Sequence, residues 1–272
     1  MPPKPVAVTY QIFPAAKDVA LASARLFASH VEQAVAARGI ARIAISGGST
    51  PKGMFQILAD PTQPFAETVA WDKLQLFWVD ERCVPPTDAE SNYHMTNENL
   101  LSKVGIKPEN IFRMQGELNP EEAANLYEAA MRNALKLEGA ESPHFDLVLL
   151  GMGDDGHTAS LFPHTQAINE IGRLTVANHV PQKDTWRITL TWPVINVAAE
   201  VAFVIAGTDK AGVLAEVLTG PRDPERLPSQ LIRPQNGKLL FLLDEAAAAQ
   251  LPKETELFTT PNGTRKVGTL EI

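Results

Sequence analysis

Residues 145–163 read FDLVLLGMGDDGHTASLFP. The first six, Phe145 to Leu150, form a run of strand length that is apolar apart from Asp146. Glycines at 151, 153 and 156 follow within six residues, among Asp154, Asp155 and His157. Such a run suits a strand covered on both faces, as strands of parallel sheets are. The polar segment then falls where open α/β sheets bind ligands, beyond the carboxyl ends of their strands.

The same alternation extends in both directions along the chain. Residues 16–38 read as a helix, with Ala24, Phe27, Ala28, Val31 and Val35 at helical spacing and Gly39 as the stop. Arg42 to Ser46 reads as a short buried strand, a helix begins near Pro51, and Leu74 to Val79 reads as a strand. Helices are expected over 91–103 and 120–138, the second marked by Ala123, Tyr127, Ala130, Ala134 and Leu137. Strand-like runs follow at 173–178, 186–192 and 201–206. A helix over 209–218 is closed by Gly220 and Pro221, and Lys238 to Leu243 reads as the last strand, with Asp244 opening a short helix. Strands alternating with helices predict an α/β fold with a mostly parallel sheet. A single domain spans 1–272, with a core of about 10–258. Residues 1–9 and 259–272 read as tails, the second polar and loosely held, and Pro221–Pro234 as a long surface loop.

The formal net charge of -8 disfavours non-specific binding to nucleic acid or anionic membrane. A site for an anionic substrate must therefore gather positive charge locally. Cys83 is the only cysteine, so an intrachain disulfide and a Cys-rich metal site are excluded, which fits a reducing compartment. The start, MPPKPVAVTYQIFP, has no apolar run of signal-peptide length, and no run of about 18 apolar residues would cross a membrane. The expectation is a cytoplasmic protein, monomer or weak homodimer, with a small-molecule substrate and neither nucleic acid nor membrane as partner.

Four polar clusters sit at strand ends. Ser46-Gly47-Gly48-Ser49-Thr50-Pro51 joins a strand to a helix. Its glycines allow close backbone approach, Ser49 or Thr50 can cap the helix, and the helix start attracts an anion. It is neither a Walker loop nor GxGxxG, so no nucleotide is indicated. Val79-Asp80-Glu81-Arg82-Cys83 places three charges at the end of an apolar strand. A carboxylate there can act as or orient a base, and Arg82 can bind it or substrate oxygens. In the stretch quoted first, His157 can take a proton near neutral pH. A metal reading of Asp154, Asp155, His157 and His164 lacks a recognised ligand spacing. In Gly207-Thr208-Asp209-Lys210-Ala211, Thr208 looks like a cap and puts Lys210 in the first helical turn. A cation there opposes the helix dipole by roughly 0.3–1 kcal/mol, which a bound anion would offset. Arg187, at the start of Trp186–Trp192, is a further cationic candidate. Each cluster also admits a plain reading: a Gly-rich turn, a surface charge group, a loop-tying histidine, a solvated lysine. No GxSxG elbow is present.

SGGSTP at 46–51, VDER at 79–82, ESNYHM at 90–95 and GMGDDGHTASLFP at 151–163 together resemble the 6-phosphogluconolactonase family, over about residues 10–250. The resemblance implies a three-layer α/β/α fold with a mostly parallel, Rossmann-like central sheet, shared with glucosamine-6-phosphate deaminases and ribose-5-phosphate isomerases. It implies hydrolysis of 6-phospho-D-glucono-1,5-lactone without cofactor or metal. The family's phosphate loop falls on Gly47, Gly48, Ser49 and Thr50, and its basic phosphate partners on Arg187 and Lys210. The general base falls on His157, and the strand-end acid and arginine on Asp80 and Arg82. Deaminases of this superfamily resemble DEY and DGHIAFNEP at the corresponding places, and this chain has neither. A non-catalytic sugar-phosphate sensor is the other class to weigh, but no basic helix-turn-helix accompanies the fold.

Overall fold

Alternate residues of the apolar strands enter two separate cores. In β2 (Ala41–Ile45), Ile43 and Ile45 join one core and Ala44 the other; in β3 (Leu74–Trp78), Leu76 and Trp78 part from Phe77 in the same way. Period-two alternation with both faces apolar is what a sheet sandwiched between helices demands. Phe27, Val31, Met54, Phe55 and Leu58 close one core, from α1 (Ala16–Arg38) and α2 (Ser49–Ala59). Ala123, Tyr127, Leu214 and Val217 close the other, from α5 (Pro120–Leu135) and α7 (Ala211–Thr219). Each fully buried large apolar side chain contributes about 1.5–3 kcal/mol.

The structure is a computed structural model that describes residues 6–252, 256–260 and 263–272. The remaining strands are β1 (Ala7–Phe13), β4 (Asp80–Arg82), β5 (Ile111–Phe112), β6 (Leu147–Leu150), β7 (Thr175–Val180), β8 (Thr185–Leu190), β9 (Glu200–Ile205), β10 (Lys238–Asp244), β11 (Glu256–Thr260) and β12 (Gly263–Glu271). Helices α3 (Phe65–Thr68), α4 (Asn92–Asn99) and α6 (Trp192–Ile195) complete the set of α-helices among the described residues. One sheet of nine described strands has the order β11-β12-β1-β10-β9-β6-β2-β3-β5, parallel from β1 to β5. From β2 the chain steps to β3 and β5, then returns to lay β6 against the other side of β2 and moves on to β9 and β10. The order reverses between β2 and β6, and the crevice at their carboxyl ends is the topological switch point. The short β5 pairs only with Leu76 and Phe77, and the buried Tyr127 hydroxyl serves the next residue instead. It donates to the Trp78 carbonyl and accepts from the Trp78 amide, both at 2.9 Å.

Several expectations are corrected. Residues 7–9, expected as tail, belong to a strand over 7–13: β1 pairs parallel with β10 and antiparallel with β12. The loosely held tail over 259–272 therefore gives way to pairing along 266–271, with Thr9 opposite Thr269. Backbone bonds hold that strand, and along 266–272 only Leu270 and Ile272 pack apolar side chains on the core, which explains why composition did not mark it. The runs at 173–178 and 186–192 do not join the parallel sheet. As β7 and β8 they form an antiparallel sheet with β4, on the α5 side. The second ends at Leu190, because Trp192-Pro193 starts a helical turn. Pro221–Pro234 is not a surface loop throughout: Leu227 and Ile232 are buried and Pro228–Leu231 forms a 3-10 turn. Asp244 opens turns, not a helix. Among the described residues no helix is long and apolar enough to cross a membrane.

Candidate active site

A cleft of about 250 Å³ opens at the switch point. It is lined by Ser46 to Pro51 after β2, by Asp80 and Arg82 of β4, by Asn92 of α4, and by Gly151, Met152, Gly153, His157 and Ala159 after β6. Val204 to Ala206 and Lys210 complete it from β9 and the turn beyond. All four polar clusters of the sequence thus converge. Arg187 is the exception. It lies opposite Arg82 in the β4–β8 register and is absent from the cleft lining, so the structure does not set it beside the 47–50 loop.

The loop after β2 brings an uncapped helix start to the cleft. Gly48, not Ser49 or Thr50, occupies the N-cap of α2, at φ 108, and no side chain caps the helix. The first-turn N–H groups of Ser49 and Thr50 therefore face the cleft without a side-chain acceptor, at the positive end of the helix. Gly47 is dictated by close approach: a Cβ there would lie 1.8 Å from Asn92 Oδ1. Lys210 comes from the 3-10 turn Thr208–Lys210 and stands at the N-cap of α7. Thr208 makes no capping bond, contrary to expectation. Lys210 Nζ lies 3.0 Å from Asp209 Oδ2. The turn is tied to β10 by the buried Asp244 carboxylate, which accepts from Gly207 N at 3.1 Å.

Across the switch point, His157 Nδ1 lies 2.5 Å from Asp155 Oδ1, and the same oxygen accepts the His157 amide at 3.0 Å. The imidazole stacks on Phe162 with centroids 4.0 Å apart. Burial pushes the Asp155 carboxyl up, but the bonds and charge of His157 outweigh it and hold it below its ordinary range. With Nδ1 engaged by the carboxylate, Nε2 is the nitrogen left for chemistry. His164 Nδ1 faces Glu225 instead, at 3.5 Å. Among the described residues no three His, Cys, Asp or Glu are grouped to hold a metal ion.

Asp80 is buried and firmly held. Its Oδ2 accepts from Ser160 Oγ at 2.7 Å and its Oδ1 from Asn92 Nδ2 at 3.3 Å, while Asn92 Nδ2 also reaches the Asp80 carbonyl at 2.9 Å. Glu81 points the other way and receives the start of α4: Asn92 N at 2.7 Å, Tyr93 N at 2.8 Å and Ser91 Oγ at 3.0 Å. Burial raises its pKa against the pull of these bonds. Arg82 Nη1 donates to the Glu90 carbonyl, which aims the side chain along the cleft wall. Burial and the nearby Arg82 charge lower the pKa of Arg187. Three residues absent from the sequence-based site matter here: Asp155, Asn92 and Ser160. Asp155 had a signal, since it lies two positions before His157. Asn92 and Ser160 meet Asp80 only through the tertiary fold.

Fold and site together define an α/β protein with an uncapped helix end, a lysine and a carboxylate-backed histidine in one cleft. The profile described as glucosamine-6-phosphate isomerases/6-phosphogluconolactonase matches residues 14–241, and the chain belongs to that family. A 6-phosphogluconolactonase of a Nostoc species is 41% identical over 245 residues, 89% of this chain and 98% of that one. One of a Synechocystis species is 41% identical over 225 residues, 82% and 90% of the two chains. The solved 6-phosphogluconolactonase of Trypanosoma brucei superposes with a TM-score of 0.77 at 28% identity, covering 92% of this chain and 99% of that one.

Proposed function

We propose that this chain hydrolyses 6-phospho-D-glucono-1,5-lactone to 6-phospho-D-gluconate, in the oxidative pentose phosphate pathway. The observation that carries the reading is one cleft holding both an uncapped helix start with Lys210 and the Asp155-backed His157. The 41% identical lactonases support the choice of substrate. One domain carries the activity, in the cytoplasm, as a monomer or weak homodimer, and no cofactor or metal enters the scheme.

The helix start at Gly47–Thr50 and Lys210 hold the phosphate, and that remote binding fixes the ring for attack. Arg187 stands with Arg82 as positive charge near Asp80. His157 Nε2 takes a proton from water as its oxygen attacks C1. Asp155 fixes the imidazole tautomer and stabilises the imidazolium. The tetrahedral oxyanion is met by backbone N–H groups of Gly151–Gly153 or by Arg82. Asp80, held by Ser160 and Asn92, orients the sugar hydroxyls or the attacking water. Collapse breaks the bond from C1 to the ring oxygen, which takes the proton back from His157. The new acid then loses a proton to solvent.

The direct test couples the reaction to 6-phosphogluconate dehydrogenase, with and without a chelator, against the spontaneous rate. Turnover well above the blank and unchanged by chelator is expected; a rate equal to the blank would refute the proposal. Ammonia release from glucosamine 6-phosphate that outpaces lactone hydrolysis would move the chain to the other branch of its family.

A further inference from the structure

Phe162 stands five positions after His157, yet the two rings stack with centroids 4.0 Å apart and planes at 21°. A tight turn folds the chain back between them. Leu161 N donates to the Thr158 carbonyl at 2.9 Å, and Ala159 takes a left-handed conformation at φ 48. Phe162 is 3% exposed and does not line the cleft. The other side-chain contact of the imidazole is the weaker fixture. The Asp155 side chain is 38% exposed, and exposed ion pairs contribute about 0–1 kcal/mol. A single bond at Nδ1 also leaves the ring free to tilt about the bond axis. An offset aromatic pair adds about 0.5–1.5 kcal/mol beyond its buried area and fixes the plane of the ring. The Gly153 backbone closes the Nδ1–Cε1 edge, where a Cβ would lie 2.1 and 2.2 Å from those atoms.

Phe162 is itself held from the antiparallel sheet. The buried Asn178 of β7 donates through Nδ2 to the Ser160 carbonyl at 2.9 Å and to Thr165 Oγ1 at 3.0 Å. Thr165 Oγ1 in turn donates to the Phe162 carbonyl at 2.8 Å. A carbonyl only accepts, so it is the amide nitrogen of Asn178 that faces this loop. From the turn between β7 and β8, Gln182 Nε2 donates to the Pro163 carbonyl at 2.8 Å. Lys183 Nζ stands over the Phe162 ring, 6.0 Å from its centroid. We propose that Phe162 is a positioning residue: its ring sets the plane of the His157 imidazole and so keeps Nε2 aimed into the cleft. The β7–β8 hairpin lines none of the cleft and acts on the chemistry through this ring. The inference rests on His157 being the base of the lactonase reaction.

The test compares Phe162→Leu, which keeps a buried apolar side chain without a flat face, with Phe162→Tyr, which keeps the ring. Phe162→Leu should lose about 10- to 100-fold in kcat through a misaimed base, with KM within about twofold. Phe162→Tyr should keep kcat within about threefold of the parent. A packing role alone would lower the urea midpoint and leave kcat unchanged. That result, or equal kcat losses in the two variants, would overturn the proposal. Proton NMR of the parent chain gives a readout that needs neither activity nor a folded Phe162 variant. The His157 ring signals, identified by their absence from His157→Ala, should lie upfield of those of the exposed His164, under the ring current of Phe162. They should return downfield in Phe162→Leu, and signals at the His164 position in the parent would overturn the stacking. The two readings fail separately. A parent rate equal to the spontaneous one sinks the lactonase and leaves the stacking signal in place. A parent whose turnover needs His157 but not the Phe162 ring sinks this inference alone.

Discussion

His157 and Lys210 line one cleft, yet the proposed chemistry asks different things of them. His157→Ala removes the proton acceptor while leaving the phosphate contacts in place. Its kcat should fall by a factor of order 10²–10⁴ with KM within a few-fold, as stopped-flow or coupled assays would show. Near wild-type turnover would take His157 out of the mechanism. Lys210→Ala removes a charge from the anion end, and the loss of a charged hydrogen bond is about 1.5–3 kcal/mol. KM should rise roughly 10- to 100-fold with kcat little changed, and an unaltered KM would deny it the phosphate. Cys83 makes a contrasting case. Burial pushes its thiol up to about 11 from an ordinary 9.0, the nearby Arg187 charge notwithstanding. At pH 8 the thiolate is then about a hundredfold scarcer than for a free cysteine, and alkylation should slow in proportion. Mass spectrometry of iodoacetamide-treated protein would show this, and the rate should climb as pH rises toward 11. Alkylation at the speed of a free thiol would mean that the residue is not packed as described.

Helices and strands differ in how much of their placement could be read from sequence. α1 runs over the expected 16–38 because its apolar stripe and Gly39 both mark it, and Gly39 N closes the helix on the Val35 carbonyl. β2, β3, β6 and β9 were legible because residues buried on both faces leave apolar runs, broken only by Arg42 in β2 and Gln75 in β3 and headed by Glu200 in β9. β7 and β8 were seen as strands but given the wrong sheet, since an apolar alternation says nothing about the partner a strand takes. The site followed the same division. Its loops were visible at strand ends, whereas the bonds of Asn92 and Ser160 to Asp80 depend on where α4 and β4 meet. Glu81 shows how that meeting is fixed. Its buried carboxylate accepts from Arg82 N as well as from the first turn of α4, so it fastens the helix bearing Asn92 to the strand bearing Asp80. Glu81→Gln would turn an amide N–H₂ toward backbone donors and leave at least one of them unsatisfied. Urea denaturation should show a loss of about 1–3 kcal/mol, with the midpoint lowered and the slope unchanged. A variant as stable as the parent would show that α4 is held elsewhere.

The sheet as a body ends, on the β1 side, in a hairpin that composition alone treats as tail. β1 is buried along one face through Val8, Tyr10 and Ile12, and an open edge beside it would be a site for association with other chains. β12 covers that edge over its register from Ala7 opposite Glu271 to Ile12 opposite Lys266. The pairing has a side-chain condition at one position. Gly268 stands opposite Tyr10, and a Cβ on it would lie 2.0 Å from Tyr10 Cζ. Tyr10 is 1% exposed and packs in the core shared with α5 and α7, so it has little room to yield. Gly268→Val should therefore cost about 1–3 kcal/mol by overpacking. Thr269 points to the opposite face and is exposed, so Thr269→Val should change stability by no more than about 0.5 kcal/mol. A loosely held tail would tolerate both substitutions equally. The difference between the two variants in thermal or urea melts thus separates a polar tail from a strand that covers the edge of β1, and two equal melts would restore the tail.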